Sequence, residues 1–449
     1  MSAPGPAELD DELPDGDPAK VVRRAPFGDS PFVGERGQKA QLRILEAALR
    51  VFGEVGYHEC SVRMITEASG FSRASFYQYF SSKEDVFRHL AGRVSRELAE
   101  SGDAMQPVTG DAEGWAHLHT WADEYAAIYG TYEAVFLAFQ AAADDDEDMA
   151  QNARVLATKT FDQLRSRLGS DELPAADVDA VAWTLLQSIL RANREWSVLA
   201  AAYRSTVTRA RLDVAIADVF HRALHGVDPG VNVHDEPKRL RPRLRASAEP
   251  EVRSDAEAGR VHGPLAQRTR EQLLEVGRRV FIERGYYGTR VTDVVKAAEV
   301  SHGVFYRYFD NTTHLFHILA VQARERLADA LAEVPPLAAA TPERPAALRS
   351  WMRRYATTYA EEAALFSMWS EAMSRDDELS TTSATGLERY RRTLAKALEP
   401  RGWGDADAEA LVFLVLVDAL GDRELTDERV ESFARIVERG LLTGPRSAG

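Results

Sequence analysis

The sequence predicts an all-α protein made of two tandem halves, each a helix-turn-helix unit followed by a helical bundle. Three observations predict it. Apolar residues recur at helical spacing, and no stretch alternates as a strand would. The segment GFSRASFYQYFSSKEDVF at 70 to 87 returns in altered form as EVSHGVFYRYFDNTTHLF at 299 to 316. A shift of 229 residues then lays the two halves on one another, carrying Gln38 to Gln267, Phe52 to Phe281 and Phe87 to Phe316 without a gap.

Residues 1 to 36 carry Pro4, Pro6, Pro14, Pro18, Pro26 and Pro31 without apolar periodicity, and read as a disordered tail. The first helix-turn-helix domain spans 37 to 92. Leu42, Leu45, Leu49 and Phe52 form a helical stripe that Gly56 ends. Ser61 or Cys60 caps a short second helix with Val62, Ile65 and Ala68 facing inward. Gly70 makes the turn, Ser72 caps the third helix, and Ser81 or Ser82 caps a fourth that starts at Lys83. From 93 to 226 helical patterns follow one another, separated by Gly102 to Gly114, Gly130, the acidic run Asp144 to Asp148, and Gly169 to Pro174. One segment, VDAVAWTLLQSIL, is apolar nearly all round and suits the centre of a bundle. Residues 227 to 263 break the pattern with Pro229, Pro237, Pro242 and Pro250, and read as a flexible linker containing the basic run KRLRPRLR. A second helix-turn-helix domain covers 264 to 321 and a second bundle 322 to 449. There a shift of 230 carries Trp121 to Trp351, Tyr125 to Tyr355, Tyr129 to Tyr359 and Leu190 to Leu420, after which the second copy is about a dozen residues shorter.

Composition narrows the function. The 449 residues, 45% apolar and 28% charged, are those of an ordinary globular chain. Cys60 is the one cysteine, which excludes an intrachain disulfide framework and thiolate clusters and fits a reducing, cytoplasmic setting. No apolar run approaches the roughly 18 residues of a membrane-spanning helix, and the acidic N-terminus is unlike a signal peptide, so no membrane partner is expected. A net charge of −15 argues against nucleic acid until it is resolved locally. Residues 36 to 93 hold nine Lys/Arg against six Asp/Glu, and residues 260 to 322 hold the same numbers. Each helix-turn-helix unit is therefore cationic, as phosphate binding requires.

The pattern of a helix ending in Gly-Tyr, a short capped helix, a Gly turn and an FY-x-YF helix resembles the DNA-binding domain of the tetracycline-repressor (TetR) family. GFSRASFYQYFSSKEDVF matches the family pattern almost throughout, and the second copy matches it more weakly. The resemblance implies that Ser72, Arg73, Ala74 and Ser75 approach base edges, that Tyr77 and Lys83 meet phosphates, and that Ser61 and Arg63 lie at the same interface. It implies the corresponding roles for Thr289, Ser301, His302, Gly303, Tyr306 and Arg307. The second copy departs at Glu299 for the turn glycine and at Thr312 and Thr313 for the Lys-Glu pair, so its contacts are expected to be weaker. With Arg73 set against His302, the double-stranded operator is expected to be asymmetric.

The family resemblance also implies bundles that bind an effector and pair with each other, so the chain reads as a pseudo-dimer, with further homodimerisation left open. Trp121, Tyr125, Tyr129, Phe136 and Trp183 are the candidate lining for a small, largely apolar effector. Trp351, Tyr355, Tyr359, Phe366 and Trp369 are their counterparts. An aromatic stripe at this spacing is more often plain core. No nucleophile motif or phosphate loop appears, His117 with His119 and His221 with His225 lack a third ligand nearby in sequence, and neither an enzyme nor a cofactor or metal is expected. The expectation is a ligand-responsive repressor. The alternatives are a regulator that reads DNA through its first unit alone, and a helical interaction or ligand-binding protein without operator binding.

Overall fold

The computed structural model describes residues 35 to 142, 147 to 202, 207 to 227, 263 to 373, 377 to 421 and 425 to 444. The expected linker, its basic run and most of the expected tail lie outside these residues. Among the described residues the secondary structure is helical apart from the isolated bridge between Val108 and Leu168 and a bridge residue at Val227.

The first half comprises α1 (Glu35–Val55), α2 (Val62–Ser69), α3 (Arg73–Tyr79), α4 (Lys83–Ala104), α5 (Ala112–Ala142), α6 (Glu147–Arg167), α7 (Ala175–Ala202) and α8 (Arg209–His225). The second repeats them in order as α9 (Pro264–Gly288), α10 (Val291–Ala297), α11 (His302–Tyr308), α12 (Thr312–Ala332), α13 (Arg344–Met373), α14 (Asp377–Leu398), α15 (Ala406–Gly421) and α16 (Asp427–Val437). A π-helical turn, Glu438–Leu442, ends the described chain.

The repeat is visible in the cores. In α1 the buried stripe is Ile44, Leu45, Ala48, Val51 and Phe52, and in α9 it is Leu273, Leu274, Gly277, Val280 and Phe281, the same positions shifted by 229. Of the alternative caps, Ser61 accepts from the Met64 amide and Ser82 from the Asp85 amide. Ser81 instead bonds to the buried Asp85 carboxylate, at 2.8 Å through its amide and 3.1 Å through its hydroxyl.

Three sequence expectations need correcting. The first helix begins at Glu35, inside the expected tail. The break expected at Gly130 falls two residues later, where two helical stretches of α5 meet across a kink at Tyr132 (φ −116°, ψ 23°). The limits drawn at 92 and 321 fall inside α4 and α12, so in each half one continuous helix belongs to both the helix-turn-helix unit and the bundle.

The halves pack on one another through their last helices. α7 meets α14, α15 and α16, and α8 meets α15, α16 and the π turn. Because α7 with α15 and α8 with α16 are equivalent pairs, this is a pseudo-twofold, self-complementary interface inside one chain. α15 is buried along nearly its whole length, with Glu409 and Asp418 inside. Both carboxylates find a cation from the first half. Arg222 of α8 meets Glu409 at 2.5 Å, with Arg401 on the other Glu409 oxygen, and Arg191 of α7 lies 3.7 Å from Asp418.

Candidate nucleic-acid interface

Each recognition helix is held from behind by its aromatic block. Phe76 and Phe80 of the first unit are fully buried, with ring centroids 5.8 Å apart, and Phe305 and Phe309 repeat the arrangement at 5.5 Å. With that face fixed, the N-terminal residues of α3 point outward. Ser72 caps the helix by accepting from the Ser75 amide at 3.1 Å, while Arg73 and Ala74 are exposed. Tyr77 is half-buried against Phe76, and Arg63 on α2 is exposed and paired with Glu67 at 2.8 Å.

In the second unit Ser301 caps α11, and His302, Gly303, Tyr306 and Arg307 are exposed. His302 and Tyr306 stack with centroids 6.5 Å apart. Thr289 lies away from this surface: it is 6% exposed and donates its hydroxyl to the Gly285 carbonyl at 2.8 Å. Its place in the repeat is that of buried Cys60, whose thiol burial pushes up to about 11.

The turn between the two helices is braced from α1, a feature that sequence reasoning missed. Arg43 donates to the Ser69 carbonyl at 3.3 Å and Arg50 to the Ala68 carbonyl at 3.2 Å, satisfying carbonyls at the C-terminal end of α2. Gln272 repeats the first bond, donating to the Ala298 carbonyl at 3.0 Å. Lys83 braces a second corner. Its ammonium donates to the Tyr57 and His58 carbonyls, both at 2.9 Å, which leaves one of three donors for a phosphate. At the turn itself Glu299 has φ 55°, where Gly70 has φ 74°.

Two cationic units, each presenting a short capped helix over a packed aromatic base, form a surface suited to the major groove. The model of the family described as bacterial regulatory proteins, tetR family, matches residues 44 to 90 and again 273 to 319. Both helix-turn-helix units belong to the tetR family. The chain is 34% identical over 90 residues to an uncharacterized HTH-type transcriptional regulator, YfiR, of Bacillus subtilis, covering 20% of this chain and 42% of that protein. It is 33% identical over 90 residues to the HTH-type transcriptional repressor AcnR of Corynebacterium glutamicum, covering 19% and 48%. It is 50% identical over 42 residues to the repressor DhaR of a Mycobacterium species, covering 9% and 21%. The chain thus spans less than half the length of each of these relatives. A solved structure of a chain from Syntrophomonas wolfei assigned to the TetR family aligns with a TM-score of 0.33 and 18% identity, over 42% of this chain and 95% of that one. The two matched stretches are the two helix-turn-helix units, in tandem on one chain.

The aromatic residues expected to line an effector site are packed inside the bundles. Trp121, Tyr125, Tyr129 and Phe136 are buried, with Tyr129 and Phe136 stacked at 4.7 Å, and Trp183 is half-buried edge-on to Phe161. Trp351, Tyr355, Tyr359 and Trp369 are buried and Phe366 half-buried. In the second bundle two of these rings join a polar network. Tyr355 donates to Asp418 at 2.6 Å, and Arg191 donates to the Tyr359 hydroxyl at 2.8 Å. The equivalents of Asp418 and Arg191 in the repeat are Ser188, whose hydroxyl is buried without a hydrogen-bond partner among the described residues, and Gly421.

The histidines singled out in the sequence serve packing. His117 bonds to the Pro107 carbonyl at 2.8 Å, and His119 stacks on Trp115 at 5.0 Å. His221 bonds to the Thr109 carbonyl at 2.9 Å, and its ring lies 4.9 Å from that of His225. Among the described residues no helix is long and apolar enough to cross a membrane.

Proposed function

We propose that this chain is a ligand-responsive transcriptional repressor that reads an asymmetric operator with α3 on one half-site and α11 on the other. The observation carrying this reading is the presence of two tetR-family units on one chain whose bundles meet through a pseudo-twofold interface. A homodimer presents two copies of one reading helix. Here Arg73, Ala74 and Ser75 of one reader stand against His302, Gly303 and Val304 of the other. A guanidinium can fork to a guanine edge and an imidazole cannot, so the preferred bases differ. A small, largely apolar effector entering a bundle would lower operator affinity by binding better to a state in which the readers are wrongly spaced.

The test is selection of bound duplexes with the full chain and with Arg73→Ala. The variant is expected to lose about 1–3 kcal/mol and to relax base preference in one half-site only. Equal relaxation in both half-sites contradicts the reading. A second reading, in which the first unit alone recognises sequence, is favoured by the carboxylate of Glu299 in the second turn. It requires His302→Ala to leave the selected motif unchanged.

A further inference from the structure

An open cleft of about 290 Å³ lies between α1 and α4, lined by Gln41 and Leu45 of α1 and by Arg88, His89, Gly92, Arg93 and Arg96 of α4. The α4 residues recur at helical spacing, so three guanidiniums share one face over about 12 Å of helix. None of the seven lining residues is acidic. Of the nearby carboxylates, Asp85 is held by Ser81 and also lies 3.5 Å from Arg88 and 3.4 Å from His89, while Glu97 accepts from the Tyr132 hydroxyl at 2.5 Å.

The repeat shows that the fold does not need these cations. At the equivalent positions α12 carries His317, Ile318, Val321, Gln322 and Glu325, and it still packs against α9. Asp85 offsets part of the Arg88 charge, and the positive charge that remains along this face of α4 has no counterpart on α12. We infer that this cleft is a binding site for a small polyanion bearing phosphate or clustered carboxylate groups, present in the first half only. Charge-assisted bonds from Arg88, Arg93 and Arg96 hold the anionic groups, and Leu45 and Gln41 face the remainder of the ligand. The site goes beyond the effector reading and does not involve the aromatic interior. It is also placed to be felt at both ends of α4. His89 packs edge-on to Phe80, the residue that ends α3, at 5.1 Å, and Arg93 interacts with Tyr132, where α5 departs from helical geometry. The cleft touches α3 only at its C-terminal end, away from Ser72 to Ser75, which favours a small ligand over operator DNA as occupant.

The experiment is calorimetric titration of the full chain with pyrophosphate at low ionic strength. Saturable binding of one pyrophosphate per chain is expected, weakened about tenfold or more by Arg96→Glu and by Arg88→His, residues that the second repeat carries in the same places. Arg154→Glu, on the exposed face of α6, is expected to leave it unchanged. Should Arg96→Glu melt below the parent, Arg96→Gln carries the same expectation. The inference is overturned by absence of saturable binding, or by equal weakening in Arg154→Glu, which would mark diffuse charge attraction. It is also overturned if Arg96→Glu weakens a DNA duplex while pyrophosphate still binds, because the cleft then serves the DNA backbone.

Discussion

Glu299 sits at φ 55°, in the left-handed region that side chains with a Cβ enter at a cost of about 1–2 kcal/mol. Gly70 occupies the equivalent turn without that cost. Glu299→Gly is therefore expected to stabilise the chain by about 1 kcal/mol in denaturant unfolding, after the entropy lost in fixing a glycine is offset. No gain, or a loss, would mean that the turn is held by something other than backbone strain. Lys83 makes the opposite point. Its two bonds reach carbonyls 25 and 26 residues earlier, a pairing that no local pattern in the sequence discloses. Lys83→Met is expected to destabilise the first unit by about 1–3 kcal/mol, the range for bonds from a charged donor, read by thermal unfolding. A variant that melts with the parent but shows a shallower salt dependence of DNA binding would assign Lys83 to phosphate alone. The substitutions at 299 and 312 are plain in the sequence. The backbone strain at one and the lost brace at the other needed the fold.

Among the elements, the helices of the DNA-binding units were legible because their stripes, caps and turns are local. α2 and α3 start at Val62 and Arg73, directly after Ser61 and Ser72. The missing dozen residues of the second copy also find their place. α7 has 28 residues and α15 has 16, while both following helices start after a threonine cap, Thr208 and Thr426. Partnership across the halves was less legible, because it joins residues about 190 positions apart. A signal existed nonetheless. Glu409 and Asp418 interrupt an otherwise apolar helix, and a carboxylate buried there requires a cation from elsewhere. Arg222 and Arg401 supply it to Glu409, which is fully buried. Glu409→Gln leaves the buried Arg401 guanidinium without its carboxylate and Arg222 with Asp218 alone at 3.7 Å, and is expected to destabilise the packing of α8 on α15 by about 3–5 kcal/mol. Amide exchange in α8 and α15 checks this: faster exchange in both supports it, and unchanged exchange sinks it.

At the scale of the molecule, acid acts where α8 packs against the loop before α5, through His221 on the Thr109 carbonyl. Burial holds the His221 imidazole down at about 4 and lowers His225 as well. A histidine whose folded pKa lies below its unfolded value stabilises the fold above about pH 6.5 and loses that contribution as pH falls toward 4. Up to about 3 kcal/mol is expected to disappear over that window from His221 alone, measured by denaturant unfolding from pH 7.5 to 4.5. His221→Asn should flatten the dependence, and an unchanged slope would place the acid sensitivity elsewhere. The duplication was readable from the sequence at single-residue register. The pseudo-twofold packing followed from the structure, because contact between halves leaves no period of its own in the chain.

The central claim is that one chain reads two unequal half-sites. Selection of bound duplexes from a random library by the full chain, with the mass of the resulting complex, tests it most directly. The account expects one chain on a motif of two different half-sites, of which Arg73→Ala relaxes one. Two chains on a perfect palindrome, or a single half-site left untouched by changes in α11, would contradict it.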